Sequence, residues 1–179
     1  MHTVAKLGLR GVARVLEYST RLTGHRRLNI SRITPDLFVG GDIPVRAYPR
    51  LRELGISAIV DLRAEARDDE RALSELGIDL LHLPAPDRYA VSQEQLLTGV
   101  SWSLDRLRQG RQVYTHCKHG VGRGPLMGLA ILVAQGQSSS EALHLMRSRR
   151  WQVAPNDRQL SALAEFERRW REQYPSIRP

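Results

Sequence analysis

The chain has 179 residues, 41% hydrophobic and 26% charged, enough for one domain with a buried core, and no apolar run approaches the roughly 18 residues needed to cross a bilayer. Its single cysteine, Cys117, excludes an internal disulfide and fits a reducing compartment. The net charge of +8 sits mostly at one end, where residues 1–34 carry seven Lys and Arg against Glu17 alone; with no zinc-finger spacing and no RNA-binding aromatic motif, nucleic acid is not expected as a partner.

Residues 3–22 read as an amphipathic helix. At helical spacing Lys6, Arg10, Arg14, Glu17 and Arg21 share one arc, and Val4, Leu7, Val12, Val15, Leu16, Tyr18 and Leu22 cover much of the rest. Such a helix either packs on the domain with its charges in water or makes a peripheral contact with an anionic membrane. The first residues lack the apolar core of a secretory signal, so a cytoplasmic location is expected.

Residues 33–41 read as a first strand ending in a turn, and residues 44–54 as a short helix closed by Gly55. Ile56 to Leu62 is a near-continuous apolar, β-branched run, the pattern of a buried parallel strand. A charged helix is expected over 65–76, stopped by Gly77, with Asp68 and Asp69 as solvated helix charges. Ile78 to Leu83 is the next strand, and Pro84 and Pro86 stiffen the loop after it. Ser92 with Gln95 forms a capping-box pattern for a helix to about Gln109, which Gly110 ends. Residues 112–116 form a strand, and helices follow over 123–135, 138–149 and 156–172. Strands alternating with helices predict an α/β fold with a central, mostly parallel sheet of four to five strands flanked by helices.

The chemistry concentrates in Val113 to Gly124. An apolar strand breaks into a glycine-rich loop holding Cys117, with Arg123 six positions later where the next helix begins. Backbone N–H groups of such a loop and the helix dipole favour an anion the size of phosphate. Arg123 can fork onto two phosphate oxygens, and Cys117 in this field is expected as a thiolate near neutral pH. The competing readings are an inert buried cysteine and a metal site of His116, Cys117 and His119.

His-Cys-X5-Arg after a strand resembles the signature loop of the cysteine-dependent phosphatases, and the surrounding chain is similar to their dual-specificity branch. With residues 1–30 read as a basic amphipathic helical segment, the resemblance implies a catalytic domain over 31–174, built around a phosphate loop between strand and helix. It implies hydrolysis of phosphate monoesters through a cysteinyl-phosphate, on phosphoprotein or on phospholipid and inositol phosphate, with no metal and no cofactor. Cys117 is then the nucleophile and Arg123 the transition-state clamp. Lys118, His119, Gly120, Val121 and Gly122 hold the phosphate, and His116 braces the loop from inside.

The leaving oxygen needs a proton, and Asp87 stands at the C-terminal end of a strand, where sites of open parallel sheets lie. Similar phosphatases carry their general acid on a loop in this position; the other reading is a solvated turn aspartate. Ala154-Pro155-Asn156-Asp157-Arg158-Gln159-Leu160 resembles the segment that backs the loop in such enzymes, which gives Asn156 and Gln159 a bracing role beside the plainer one of a helix N-cap. Asp61 and Arg63 read as structural. One departure is Gly124, where the family places Ser or Thr to help the thiolate depart. Its consequence is expected in the second step, as slow hydrolysis of the intermediate that Gly124→Ser relieves. Carried to its limit, the departure gives a phosphate-binding module with little turnover.

Overall fold

The computed structural model describes residues 28–175. The amphipathic helix expected over 3–22 lies outside the described residues. Five strands, β1 Ile30–Arg32, β2 Leu37–Gly40, β3 Ile56–Arg63, β4 Asp79–Ala85 and β5 Gln112–His116, form one sheet in the order β1-β2-β5-β3-β4. Only the β1–β2 pair is antiparallel; the other pairs are parallel, and β5 lies at the centre between β2 and β3. Among the described residues six α-helices complete the unit: α1 Tyr48–Glu53, α2 Glu70–Glu75, α3 Gln93–Arg108, α4 Arg123–Ala134, α5 Ser139–Arg149 and α6 Asp157–Gln173.

The two-residue period of the strands divides the core. Leu37, Val39, Ala58, Val60, Leu62 and Val113 face one layer, packed on α3, α4 and α6. Phe38, Ile59 and Tyr114 face the other, under Tyr48 and Leu51 of α1 and Leu73 of α2. Every residue of α4 is buried, so this helix is the centre of its layer, and its N-terminus meets the end of β5. The same alternation continues through Thr115, His116 and Cys117. Thr115 Oγ1 donates to the Gly124 carbonyl of α4 at 2.9 Å, and Cys117 joins the α4 cluster. His116 stacks on Tyr114, on the opposite layer.

Three expectations change. The first strand is a hairpin: Ile33 N–H turns back to Leu37 O at 2.8 Å and Thr34 Oγ1 accepts from Leu37 N–H at 3.1 Å, so residues 33–36 are the turn and Ile30–Arg32 is a strand. The boundary expected at residue 30 therefore falls inside the sheet, because Ile30 pairs with Gly40. The helix over 44–54 is a 3-10 turn, Val45–Ala47, followed by α1, with Gly55 at φ 84° beyond its end. The helix over 65–76 is reduced to α2, because Asp69 caps it by accepting from Ala72 N–H at 3.0 Å. Residues before the cap are drawn into tertiary contacts. Asp68 is not a solvated charge but 8% exposed and engaged by Arg63 and His116. The Ser92–Gln95 capping box forms as read, and equivalent boxes open α5 at Ser138 and α6 at Asn156.

Candidate active site

The β5 register sets the site. His116 lies level with Gly40 of β2 and Asp61 of β3, so the chain emerging at Cys117 has a strand end on each side. Cys117 is buried in the floor of a cleft of about 320 Å³ that Arg123, Asp87, Arg88, His119, Val121, Gly122, Asn156 and Gln159 also line. Among the described residues, none accepts from the backbone N–H groups of Lys118, His119, Gly120, Val121 or Gly122. Such a run of unengaged donors before a helix N-terminus favours an anion.

Glycine is required here for two reasons. Gly120 sits at φ 67°, and a Cβ there would lie 2.3 Å from the Gly40 carbonyl. At Gly124 the constraint is proximity alone: a Cβ would come within 2.9 Å of His116 C and Cα and 3.1 Å of Cys117 N. The residue after the arginine is thus where α4 touches the backbone that carries the cysteine.

Arg123 has five N–H donors, and four have partners. Nη1 donates to Glu65 Oε2 and to the Ala85 carbonyl, both at 2.8 Å. Nη2 donates to Glu65 Oε1 at 2.8 Å and Asp87 Oδ1 at 3.0 Å. Nε is buried with no partner. Glu65 therefore grips the end of the guanidinium bidentately. Its hydrogen bond to Arg123 holds the Glu65 carboxyl down at about 2, and the same bond pushes the Arg123 proton affinity up.

Asp87 lies in a turn after β4 in which Tyr89 N–H returns to Pro86 O at 3.2 Å and Arg88 takes φ 63°. That left-handed conformation is uncommon for a non-glycine residue and needs support. It comes from α6: Asn156 Nδ2 donates to Arg88 O at 2.9 Å and Gln159 Nε2 to Tyr89 O at 3.1 Å. The two also cap their own helix, which is the plainer role read for them. What they hold by hydrogen bonds is the Asp87 turn; toward the cysteine loop, Gln159 packs on Gly122.

The remaining residues fall as follows. Lys118 does not line the cysteine cleft: its Nζ pairs with Asp42 Oδ2 at 2.8 Å, and it borders a neighbouring cleft with Glu65, Asp87 and His119. His116 points into the protein, its Nε2 2.9 Å from Asp68 Oδ2. Burial pushes the Asp68 carboxyl up, but the bond and charge of His116 and the charge of Arg63 outweigh it, and the net direction is down. Asp61, Asp68 and His116 bring three side chains of metal-binding type together. Arg63 already fills that role, bonding Asp61 at 2.8 Å and Asp68 at 2.6 Å. His116 and Cys117 project to opposite layers, so the His116, Cys117 and His119 metal set does not assemble. Sequence reasoning missed Glu65, Asp68 and Arg150. The usable signal for Glu65 was its place just past β3, at the sheet edge shared with Cys117 and Asp87.

The family model described as "Polymorphic toxin system, DSP-PTPase phosphatase" matches residues 42–137. Mouse dual specificity protein phosphatase 8 is 25% identical over 146 residues; these are 79% of this chain but 21% of that protein, so the chain spans about a fifth of its length. Phosphatidylglycerophosphate phosphatase PTPMT2 of Arabidopsis thaliana is 27% identical over 133 residues, covering 72% of this chain and 58% of that protein. Among solved structures, the active form of Tk-PTP is 30% identical with a TM-score of 0.73, covering 79% of this chain and 97% of that one. PTPMT1 in complex with PI(5)P shares the fold at 22% identity and a TM-score of 0.77, over 81% of this chain and 98% of that one. With the family match spanning the loop and more than half of the chain, this protein belongs to the dual-specificity branch of the cysteine-dependent phosphatases.

Proposed function

We propose that this chain hydrolyses phosphate monoesters of protein or phospholipid through a cysteinyl-phosphate on Cys117. One observation carries the reading: Cys117, Arg123 and Asp87 line a single cleft, with Asp87 3.0 Å from the guanidinium that would clamp the phosphoryl group. The phosphate takes the free Nε–H of Arg123 and the Nη2–H that Asp87 occupies, together with the unengaged N–H groups of the loop. Asp87, released from the guanidinium, turns toward the leaving oxygen and takes up a proton from solvent, which makes it the acid of the next step. The Cys117 thiolate attacks phosphorus in line, the P–O bond breaks, and Asp87 protonates the departing oxygen. In the second step Asp87, now a carboxylate, takes a proton from water. That water attacks phosphorus, the S–P bond breaks, and inorganic phosphate and the thiolate are released.

The names of the similar proteins support both substrate classes, one a protein phosphatase and the other a phosphatidylglycerophosphate phosphatase. A lipid substrate would be met at a bilayer surface, where the basic residues 3–22 supply a peripheral contact. The test is phosphate release from p-nitrophenyl phosphate, with Cys117→Ser as control, followed by phosphopeptides, phosphatidylinositol phosphates and phosphatidylglycerophosphate. Release that depends on Cys117 is expected. Binding of phosphate or vanadate without release by the wild-type chain would replace the enzyme with a phosphate-binding module. A truncation for the membrane arm belongs before residue 28, since Asn29 Nδ2 donates to the His119 carbonyl at 3.1 Å and Asn29 thus belongs to the loop's support.

A further inference from the structure

Arg150 follows α5 and is 2% exposed. Among the described residues all its hydrogen-bond partners are neutral: Nε donates to Gly120 O at 2.9 Å, Nη2 to His119 O at 3.1 Å and Asn29 Oδ1 at 2.8 Å, and Nη1 to Ser31 Oγ at 3.3 Å. Among the described residues no carboxylate pairs with it, whereas the buried Arg63 and Arg123 each hold at least two. A buried guanidinium without a counter-ion is strongly unfavourable. Burial pulls Arg150 below the ordinary arginine range, while Tyr114 and Cys117 act in the opposite sense. The charge is retained, and what faces it is the back of the cysteine loop.

The geometry has a second consequence. Every peptide bond of the loop is trans, so a carbonyl and the N–H of the next residue point in opposite directions. With the carbonyls of His119 and Gly120 turned inward to Arg150, the N–H groups of Gly120 and Val121 are turned outward, to the open side of the loop. These are two of the donors left without acceptors.

We propose that Arg150 is a positioning residue of the phosphate loop: it aims the Gly120 and Val121 N–H groups at the phosphate, and its unpaired buried charge is the counter-charge for the Cys117 thiolate and the bound phosphate. The proposal rests on reading Cys117 as the nucleophile. Other charged groups also bear on Cys117. From the loop and α4 these are His119 and Arg123, and from the β3 and β4 ends Glu65, Asp87 and Arg88. Lys118 is neutralised by Asp42. Toward the opposite layer, His116 is engaged by Asp68 beside Arg63. Among the described residues Arg150 differs from the buried Arg63 and Arg123 in having no carboxylate.

Cys117 is the sequence's only cysteine, so the rate of iodoacetamide alkylation against pH reports it alone and needs no turnover. In Arg150→Met the pH midpoint of alkylation is expected to rise by about one unit, with a roughly tenfold slower reaction below the midpoint. Arg150→Lys keeps the charge and is expected to recover more than half of that shift. A purely structural arginine would lower the melting temperature and leave the midpoint in place, and a folded Arg150→Met with the wild-type midpoint overturns the proposal. If Arg150→Met does not fold, Asn29→Asp decides: it places a carboxylate 2.8 Å from Nη2, at the loss of the Asn29 Nδ2 bond to the His119 carbonyl, and an unmoved midpoint there overturns the proposal equally. A midpoint that moves in a chain releasing no phosphate would sink the proposed hydrolysis and leave the role of Arg150 standing.

Discussion

Glu65→Gln is the most direct test of how Arg123 is held. The native pair consists of two charge-assisted hydrogen bonds of 2.8 Å, with Arg123 1% and Glu65 40% exposed. A hydrogen bond to a charged group is worth about 1.5–3 kcal/mol, and exposure of the carboxylate reduces that through water and salt. Glutamine keeps one acceptor oxygen and turns an NH₂ toward the other guanidinium nitrogen, so one bond is lost and the fork is no longer fixed. About 1.4 kcal/mol of lost positioning corresponds to a tenfold effect. We expect kcat/KM for p-nitrophenyl phosphate to fall about tenfold, mostly in kcat, because the guanidinium matters most when charge spreads over the transferring phosphoryl group. The pair also has a signature in acid. Glu65 is held near 2 against an ordinary 4.5, so its contribution to stability is full above 4.5 and is lost as pH falls toward 2. Over that window the variant should lose stability less steeply than the wild type. A folded Glu65→Gln chain with kcat/KM within twofold of the wild type would refute the reasoning.

Asp68→Asn removes one charge from the buried set it forms with Arg63 and His116 and is expected to cost about 3 kcal/mol, read as a melting temperature lower by roughly 10 °C; a loss below 1 kcal/mol would show that the cluster is not coupled. Gly124→Ser and Gly124→Ala should both lose about 1–3 kcal/mol of stability from overpacking, since either Cβ meets the His116 backbone at 2.9 Å. Comparing their single-turnover and steady-state rates separates sterics from chemistry: faster breakdown of the intermediate in the serine variant than in the alanine variant assigns the release step to the missing hydroxyl, and equal rates remove that assignment.

What could be read from sequence follows the range of the interactions. The loop from Cys117 to Arg123 stood out because strand, glycines and helix start are contiguous, and the Ser92 and Gln95 cap is likewise local. The segment 64–69 did not, because its charges are pulled out of a helix by partners far along the chain: Glu65 by Arg123, Asp68 by His116. Those pairings depend on the register that sets Asp61 beside His116, which no local pattern contains. Strand β1 is only three residues long and exists by pairing with β2. Lys118 looked like a substrate contact from its position, but the side chain turns to Asp42, a residue 76 positions earlier.

The two carboxylates on Arg123 are not equivalent, and that difference gives the site an order of events. Glu65 makes two bonds from a side chain 40% exposed, while Asp87 makes one, at 3.0 Å, from a side chain 66% exposed. An arriving phosphate dianion needs Nε and one more donor. Nη1 is committed to Glu65 and the Ala85 carbonyl, so the donor released most easily is the one Asp87 holds on Nη2. The weaker partner yields, the stronger one keeps the guanidinium in plane, and the displaced Asp87 remains on a turn fastened by Asn156 and Gln159. In the proposed reaction, binding of the phosphate would thereby free Asp87 to serve as the acid that the next step requires, beside the bond to be broken.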